Sequence, residues 1–232
     1  MTKIYFGCDE TPKHWDQYFS LCNAIELDLE RFDNPPKIST LNGWRVDSPR
    51  GFAFVLRVDP DVNKGLVEAY QDPGGELPDT LRRGWENTRE RAQALAARAV
   101  LLRTPVSFTP GDRSRRVLKK FRNEISPDFS NPIIWEAAGM WNTESTREWA
   151  ADHGLTYAYD PFLAFRDEIG LHHGDGAFIL SERAGLRREF DRYDIRSLID
   201  ACGSYNRAFF LLRGRFKWKH AEHFGDLLNY EA

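Results

Sequence analysis

The residues able to do chemistry sit at the ends of short apolar runs. In the segment Ala24–Leu29, Ile25, Leu27 and Leu29 alternate with Glu26 and Asp28. A period of two puts the apolar side chains on one face of a strand and both carboxylates on the other. The run Pro132–Glu136 repeats the pattern, with Glu136 sharing a face with Ile134 and opposite Trp135. Asp160 follows the run Leu155–Tyr159, while Arg57, Arg103 and Arg213 stand at the ends of three further runs. Clustered carboxylates can hold a divalent cation or work as acid and base. Guanidinium groups instead clamp phosphate or carboxylate through two parallel hydrogen bonds. Glu26, Glu136 and Asp160 are therefore the candidate catalytic residues, and Asp28, Arg57, Arg103 and Arg213 the candidate substrate-binding ones. The bland alternative is a buried ion-pair network with no ligand.

The elements that must position these residues form a regular series. Strand-like runs fall at Ile4–Gly7, Ala24–Leu29, Phe52–Val58, Ala99–Thr104, Pro132–Glu136, Leu155–Tyr159, Ala177–Ser181 and Ala208–Leu212. Helical stripes lie between them. Trp15, Tyr18, Phe19 and Cys22 form one; Leu81, Trp85, Ala92 and Leu95 form another, with Asp79 as its N-cap. Val117, Phe121 and Ile125 continue the series, and a helix from Thr143 to His153 ends at Gly154. After a short helix following Pro161 come Ile195, Leu198, Ile199 and Cys202, then Phe224, Leu227 and Leu228. Strands alternating with helices imply βαβ units and a parallel sheet. Eight of them predict a (β/α)8 TIM-barrel-like fold of the α/β class, a single domain over residues 1–232. An open doubly wound parallel sheet is the alternative. In a barrel the catalytic groups gather where the strands end. The candidate residues would then ring the C-terminal mouth.

Composition excludes several classes. With 41% hydrophobic residues the chain can build a core, and a net charge of −3 is unlike that of a dedicated nucleic-acid binder. Cys8, Cys22 and Cys202 are too few and too widely spaced for a zinc ribbon or a disulfide framework. No apolar run approaches the roughly 20 residues of a membrane-spanning helix. The chain opens on Lys3-Ile4-Tyr5-Phe6, which reads as a strand rather than a leader, so a cytoplasmic location is expected. Phosphate-loop, dinucleotide-binding, zinc-protease, nucleophile-elbow and calcium-loop motifs are all absent.

Four other clusters invite chemistry and are read structurally. His172-His173 with Asp175 precedes a strand, on the face away from the usual chemistry, and is expected to be a solvated loop. His220 and His223, without a third ligand, predict an exposed helix face. Arg113, Arg115, Arg116, Lys119, Lys120 and Arg122 form one basic run. Arg213, Arg215, Lys217 and Lys219, interleaved with Phe216 and Trp218, form a second. The interleaving is that of a stacking surface for single-stranded nucleic acid, although solvated faces suit the acidic total better.

The segments KIYFG, AIELDLERFDNPP, RGFAFVLRV, LLRTPVSF, IIWEAAGMW and LTYAYD occur in that order. Their order and spacing from Lys3 to about Asp160 resemble the YecE-like family, domain of unknown function 72. The resemblance implies a TIM barrel and lends no reaction. It matches Glu26, Glu136 and Trp141 to family positions, which adds Trp141 to the candidate substrate-binding residues. Asp28 stands at an Asn, Phe32 at a Tyr, Arg57 at a Lys and Arg103 at a Gln. An Arg-His pair expected after Glu136 is replaced by Ala137-Ala138-Gly139, and the family's late F-N-N strand appears as Leu212-Arg213-Gly214.

These readings converge on a YecE-like barrel that binds or processes a small anionic ligand, phosphorylated or carboxylated, at its mouth. No metal site is expected, no cofactor is indicated, and no membrane partner is implied. Nucleic-acid association through the basic runs and a barrel without chemistry, kept as an interaction module, are the alternatives. Neither the reaction nor the oligomeric state follows from the sequence.

Overall fold

The short apolar runs, buried on both faces, form the strands, and helices alternate with them along the chain. The computed structural model describes residues 2–10, 12–72, 74–162, 174–181 and 189–229. Among them the strands are β1 (Lys3–Cys8), β2 (Ala24–Leu27), β3 (Ala53–Arg57), β4 (Ala99–Thr104), β5 (Ile133–Ala137), β6 (Thr156–Tyr159), β7 (Asp175–Leu180) and β8 (Arg207–Leu212). The helices are α1 (Trp15–Leu21), α2 (Ile38–Asp47), α3 (Pro60–Gln71), α4 (Asp79–Ala94), α5 (Asp112–Glu124), α6 (Thr143–Asp152), α7 (Arg192–Ala201) and α8 (Lys217–Asn229). The strand order is β1-β8-β7-β6-β5-β4-β3-β2. Its two ends, β1 and β2, meet through a parallel bridge between Asp9 and Glu26. Parallel strands in sequential order with the ends joined define the (β/α)8 fold and set aside the open sheet.

Contacts divide the chain into two compact units. The first comprises Met1–Asp33, Ser48–Phe54 and Ala158–Ala232, the second Asn34–Asp47 and Val55–Tyr157. In the first unit, Phe6 and Phe210 pack on Phe224 of α8. Those two side chains mark the helix side of β1 and β8. Tyr5 and Phe209, one residue earlier in register, stack on each other on the opposite face. In the second unit, Trp135 of β5 meets Trp149 of α6 and marks the helix side there, and Trp85 of α4 is wedged between Phe121 and Phe129.

Local chemistry moved several boundaries. β2 stops at Leu27 because the Asp28 side chain accepts the Glu30 N–H and starts a 3-10 turn at Leu29–Arg31. Leu29, expected at the end of the strand, lies in that turn instead. α4 begins at Asp79 itself, with Pro78 at its N-cap and no side-chain cap. Two further helices, α2 and α3, stand outside the expected series; α3 buries Val62, Leu66 and Ala69 at helical spacing and is capped by Asp59, which accepts the Asp61 N–H. Gly154 follows α6 with φ of 68°, as a helix-ending residue should. The expected short helix after Pro161 and the pair His172-His173 lie outside the described residues.

Candidate functional site

In the first unit the C-terminal ends of the strands carry a buried ion pair. Phe210 faces α8, so Arg213, three residues on, falls on the opposite face of β8 with Phe209. Its Nε and Nη2 donate to Glu26 Oε2 and Oε1 at 2.8 and 3.0 Å. The Glu26 side chain is wholly buried and that of Arg213 is 9% exposed. Beside them, Asp9 receives Arg31 at 3.0 Å and Lys217 at 3.2 Å. Burial would raise the Asp9 carboxyl, but the charge of Lys217 and the hydrogen bonds of Arg31 and Lys217 overcome it and hold the group below its ordinary range. Lys217 also binds Glu10 at 2.8 Å. Asp28 caps the 3-10 turn and lies 3.6 Å from Arg31.

Asp160 also belongs to this unit. Tyr159 registers with the helix-side Phe178, which leaves Ala158 and Asp160 on the opposite face. Burial pushes the Asp160 carboxyl from 3.8 up to about 6, against the Phe162 N–H that it accepts at 2.9 Å. A carboxyl harder to ionise in the fold than in the unfolded chain favours folding while it is protonated. That contribution is complete in acid, fades as pH rises from 3.8 to about 6, and is lost above. Asp160→Asn keeps an acceptor for Phe162 and removes the titration. The stability of wild type relative to this variant should therefore fall between pH 4 and pH 7, read from urea midpoints across the range. A difference that stays flat with pH would contradict the assignment.

The second unit holds a different pair. Arg103 and Glu136 are direct neighbours in the β4–β5 register, and Arg103 Nε lies 2.7 Å from Glu136 Oε2. Glu136 is buried, whereas the Arg103 side chain keeps 31% of its surface exposed. Trp135 faces α6, so Glu136 and Arg103 face away from the helices. Arg57 registers with Leu101, which puts it on that same face one step below Arg103. Burial, aided by the charge of Glu136, pushes the Tyr157 hydroxyl up to about 12. Trp141 takes another place. It packs edge-on against Trp135 at 4.9 Å, in the helix-side cluster with Trp149 and Tyr157.

The expected residues thus divide into the Glu26–Arg213 pair with Asp28 and Asp160, and the Arg103–Glu136 pair with Arg57. Sequence reasoning missed Asp9 and Tyr157. Asp9 was findable, because it follows β1 at the end where the other candidates were sought. Among the described residues no group of three His, Cys, Asp or Glu stands close enough to hold a metal ion.

The remaining clusters are structural in placement. His220 is buried rather than on an exposed face, and its Nε2 accepts the Phe190 N–H at 3.1 Å. In the first basic run, Arg113 donates to the Gln71 carbonyl, Lys120 to that of Gly75 and Arg122 to those of Ser126 and Phe129. In the second, Lys217 is held by Asp9 and Glu10, Lys219 by Glu189, and Trp218 packs edge-on against Tyr18. No helix of the described residues is long and apolar enough to cross a membrane.

Strand order and candidate groups at the strand ends define the class: a (β/α)8 barrel. No family model matches the chain, and no curated protein matches it. Solved structures do. A DUF72 family protein of Enterococcus faecalis superposes with a TM-score of 0.67 at 15% identity, over 99% of this chain and 98% of that one. A DUF72 family protein of Thermotoga maritima gives 0.68 at 13%, over 98% and 99%. Endonuclease IV of Thermus thermophilus gives 0.52 at 16%, over 98% and 100%. At these identities the likeness is one of fold. It bears out the resemblance to domain of unknown function 72 and carries it beyond Asp160, where the sequence segments fade.

Proposed function

We propose that this chain is a divergent YecE-like protein that binds a small anionic ligand, phosphorylated or carboxylated, at the C-terminal ends of β3 and β4. The observation that carries the reading is the sharing of one strand face by two arginines. Arg57 and Arg103 point the same way in the second unit, with Glu136 opposing them. Arginine stays protonated at any ordinary pH, so both guanidinium groups bring a fixed positive charge to this face. Glu136 acts as a buttress: it fixes Arg103 through Nε and leaves the guanidinium partly exposed. In the first unit Arg213 is spent on Glu26, and Arg31 and Lys217 on Asp9, which favours the Arg57–Arg103 face for an anion. The nucleic-acid alternative draws less support, since cations in both basic runs are held by carbonyls and carboxylates.

A thermal-shift series tests the proposal. Phosphate or sulfate at ten times its dissociation constant should stabilise by about 1.4 kcal/mol, a rise of about 3–5 °C for a chain of this size. Arg103→Ala should abolish the increment, and Arg57→Ala should reduce it. Only the ligand-induced increment counts, because Arg103→Ala also removes a partner of Glu136. Stabilisation by magnesium or manganese with none by any anion would sink the idea.

A further inference from the structure

A cavity of about 380 Å³ opens in the first unit between the loop after β1, α1 and the first turn of α8. It lies at the low end of the roughly 300–1,000 Å³ range of small-molecule sites, room for a molecule of one or two rings. Trp218 and Tyr18 supply aromatic wall. That wall is fixed. The Tyr18 hydroxyl accepts the Cys8 N–H at 2.9 Å and donates to the Ala24 carbonyl at 2.9 Å, and the Trp218 ring meets Tyr18 edge-on at 5.8 Å. Lys13, His14 and Gln17 line the same cavity with polar groups.

The hydrogen-bond inventory around the cavity is lopsided. Among the described residues, the side chains of Lys13, His14 and Gln17 and the indole N–H of Trp218 have no partner. Each can donate. Among the described lining residues the one carboxylate, Glu10, is already held by Lys217 at 2.8 Å. The cavity therefore offers spare donors, one of them cationic, around a flat aromatic surface. A neutral ring would leave those donors unanswered, and a bare oxyanion would leave the aromatic wall without an apolar partner.

We propose that this cavity binds a planar aromatic carboxylate of one or two rings. The ring stacks on Trp218, and the carboxylate takes hydrogen bonds from Lys13, His14 and Gln17 at the rim. The site is separate in residues and in chemistry from the Arg57–Arg103 face.

The test is calorimetric titration of the whole chain with 2-naphthoate, and with 2-naphthylmethanol as the uncharged analogue. Saturable binding of the carboxylate, and much weaker binding of the alcohol, are expected. Trp218→Ala should weaken 2-naphthoate by about tenfold through loss of the stacked contact. Lys13→Glu, at an exposed position where folding is safe, should weaken it by about as much. Arg103→Ala should bind 2-naphthoate as wild type does while losing the phosphate response, so the two sites succeed or fail separately. The proposal is overturned if 2-naphthoate gives no saturable binding, if the alcohol binds equally well, or if Lys13→Glu binds like wild type.

Discussion

Glu26→Ala should cost about 3–5 kcal/mol of folding stability, the range for breaking a buried ion pair from one side. The reason is the partner left behind. Arg213 is 9% exposed, and its Nε and Nη2 both end on Glu26. Removing the carboxylate takes both of these hydrogen bonds from a guanidinium that cannot shed its proton and has little access to water. Glu26→Gln separates charge from shape: it keeps an acceptor oxygen but not the negative charge, and should lose most of the same stability. The double variant Glu26→Leu with Arg213→Leu should lose less than either single change, because a buried pair replaced by apolar groups of similar volume is often neutral. Urea denaturation of the four proteins measures this. The surface pair Glu86–Arg89, with side chains 76% and 61% exposed, is the internal control and should be worth less than about 1 kcal/mol. If Glu26→Ala lies as close to wild type as that control does, Arg213 is not buried as described.

What the sequence could reveal follows from which forces are local. Strand faces were legible because Ile25 and Leu27 must leave water while Glu26 prefers not to, and a period of two then sorts them. That argument placed Glu26 and Glu136 on the faces where the structure has them. It could not say that Glu26 takes Arg213 and Glu136 takes Arg103. The first pairing joins residues 187 positions apart and depends on β8, β1 and β2 being neighbours. The second depends on the β4–β5 register. α2 escaped notice because Leu41 is its one buried residue, so it has no stripe to read. His220 was misplaced for a similar reason. Its partner, the Phe190 N–H, lies 30 residues earlier, and a histidine on a mixed helix face carries no mark of that hydrogen bond. Trp141 matched a family position by order alone, which says nothing about the side of β5 on which an indole four residues past the strand will settle.

Gly7→Ala should be about as damaging, by 3 kcal/mol or more, at or beyond the top of the ordinary overpacking range of about 1–3 kcal/mol. An ideal Cβ at Gly7 would stand 1.9 Å from the Ala24 carbonyl oxygen and 2.3 Å from its carbonyl carbon. Those are backbone atoms of β2, so no rotamer change relieves the clash; β1 and β2 must separate. The same Ala24 carbonyl accepts the Tyr18 hydroxyl, which also accepts the Cys8 N–H, so a shift of β2 strains both of those bonds. Two residues further on, Asp9 and Glu26 form the bridge that joins the ends of the strand order. Methylating one glycine thus loads the seam that closes the fold and sits beside the Glu26–Arg213 pair. Gly43→Ala makes the opposite case: it lies within α2 with nothing within 4 Å of the added carbon, and should stabilise by about 0.5–1 kcal/mol through helix propensity. Paired urea titrations of the two variants decide the matter. A Gly7→Ala protein as stable as wild type would mean that β1 and β2 do not approach as closely as the Ala24 carbonyl implies, and the closure of the strand order at that seam would have to be redrawn.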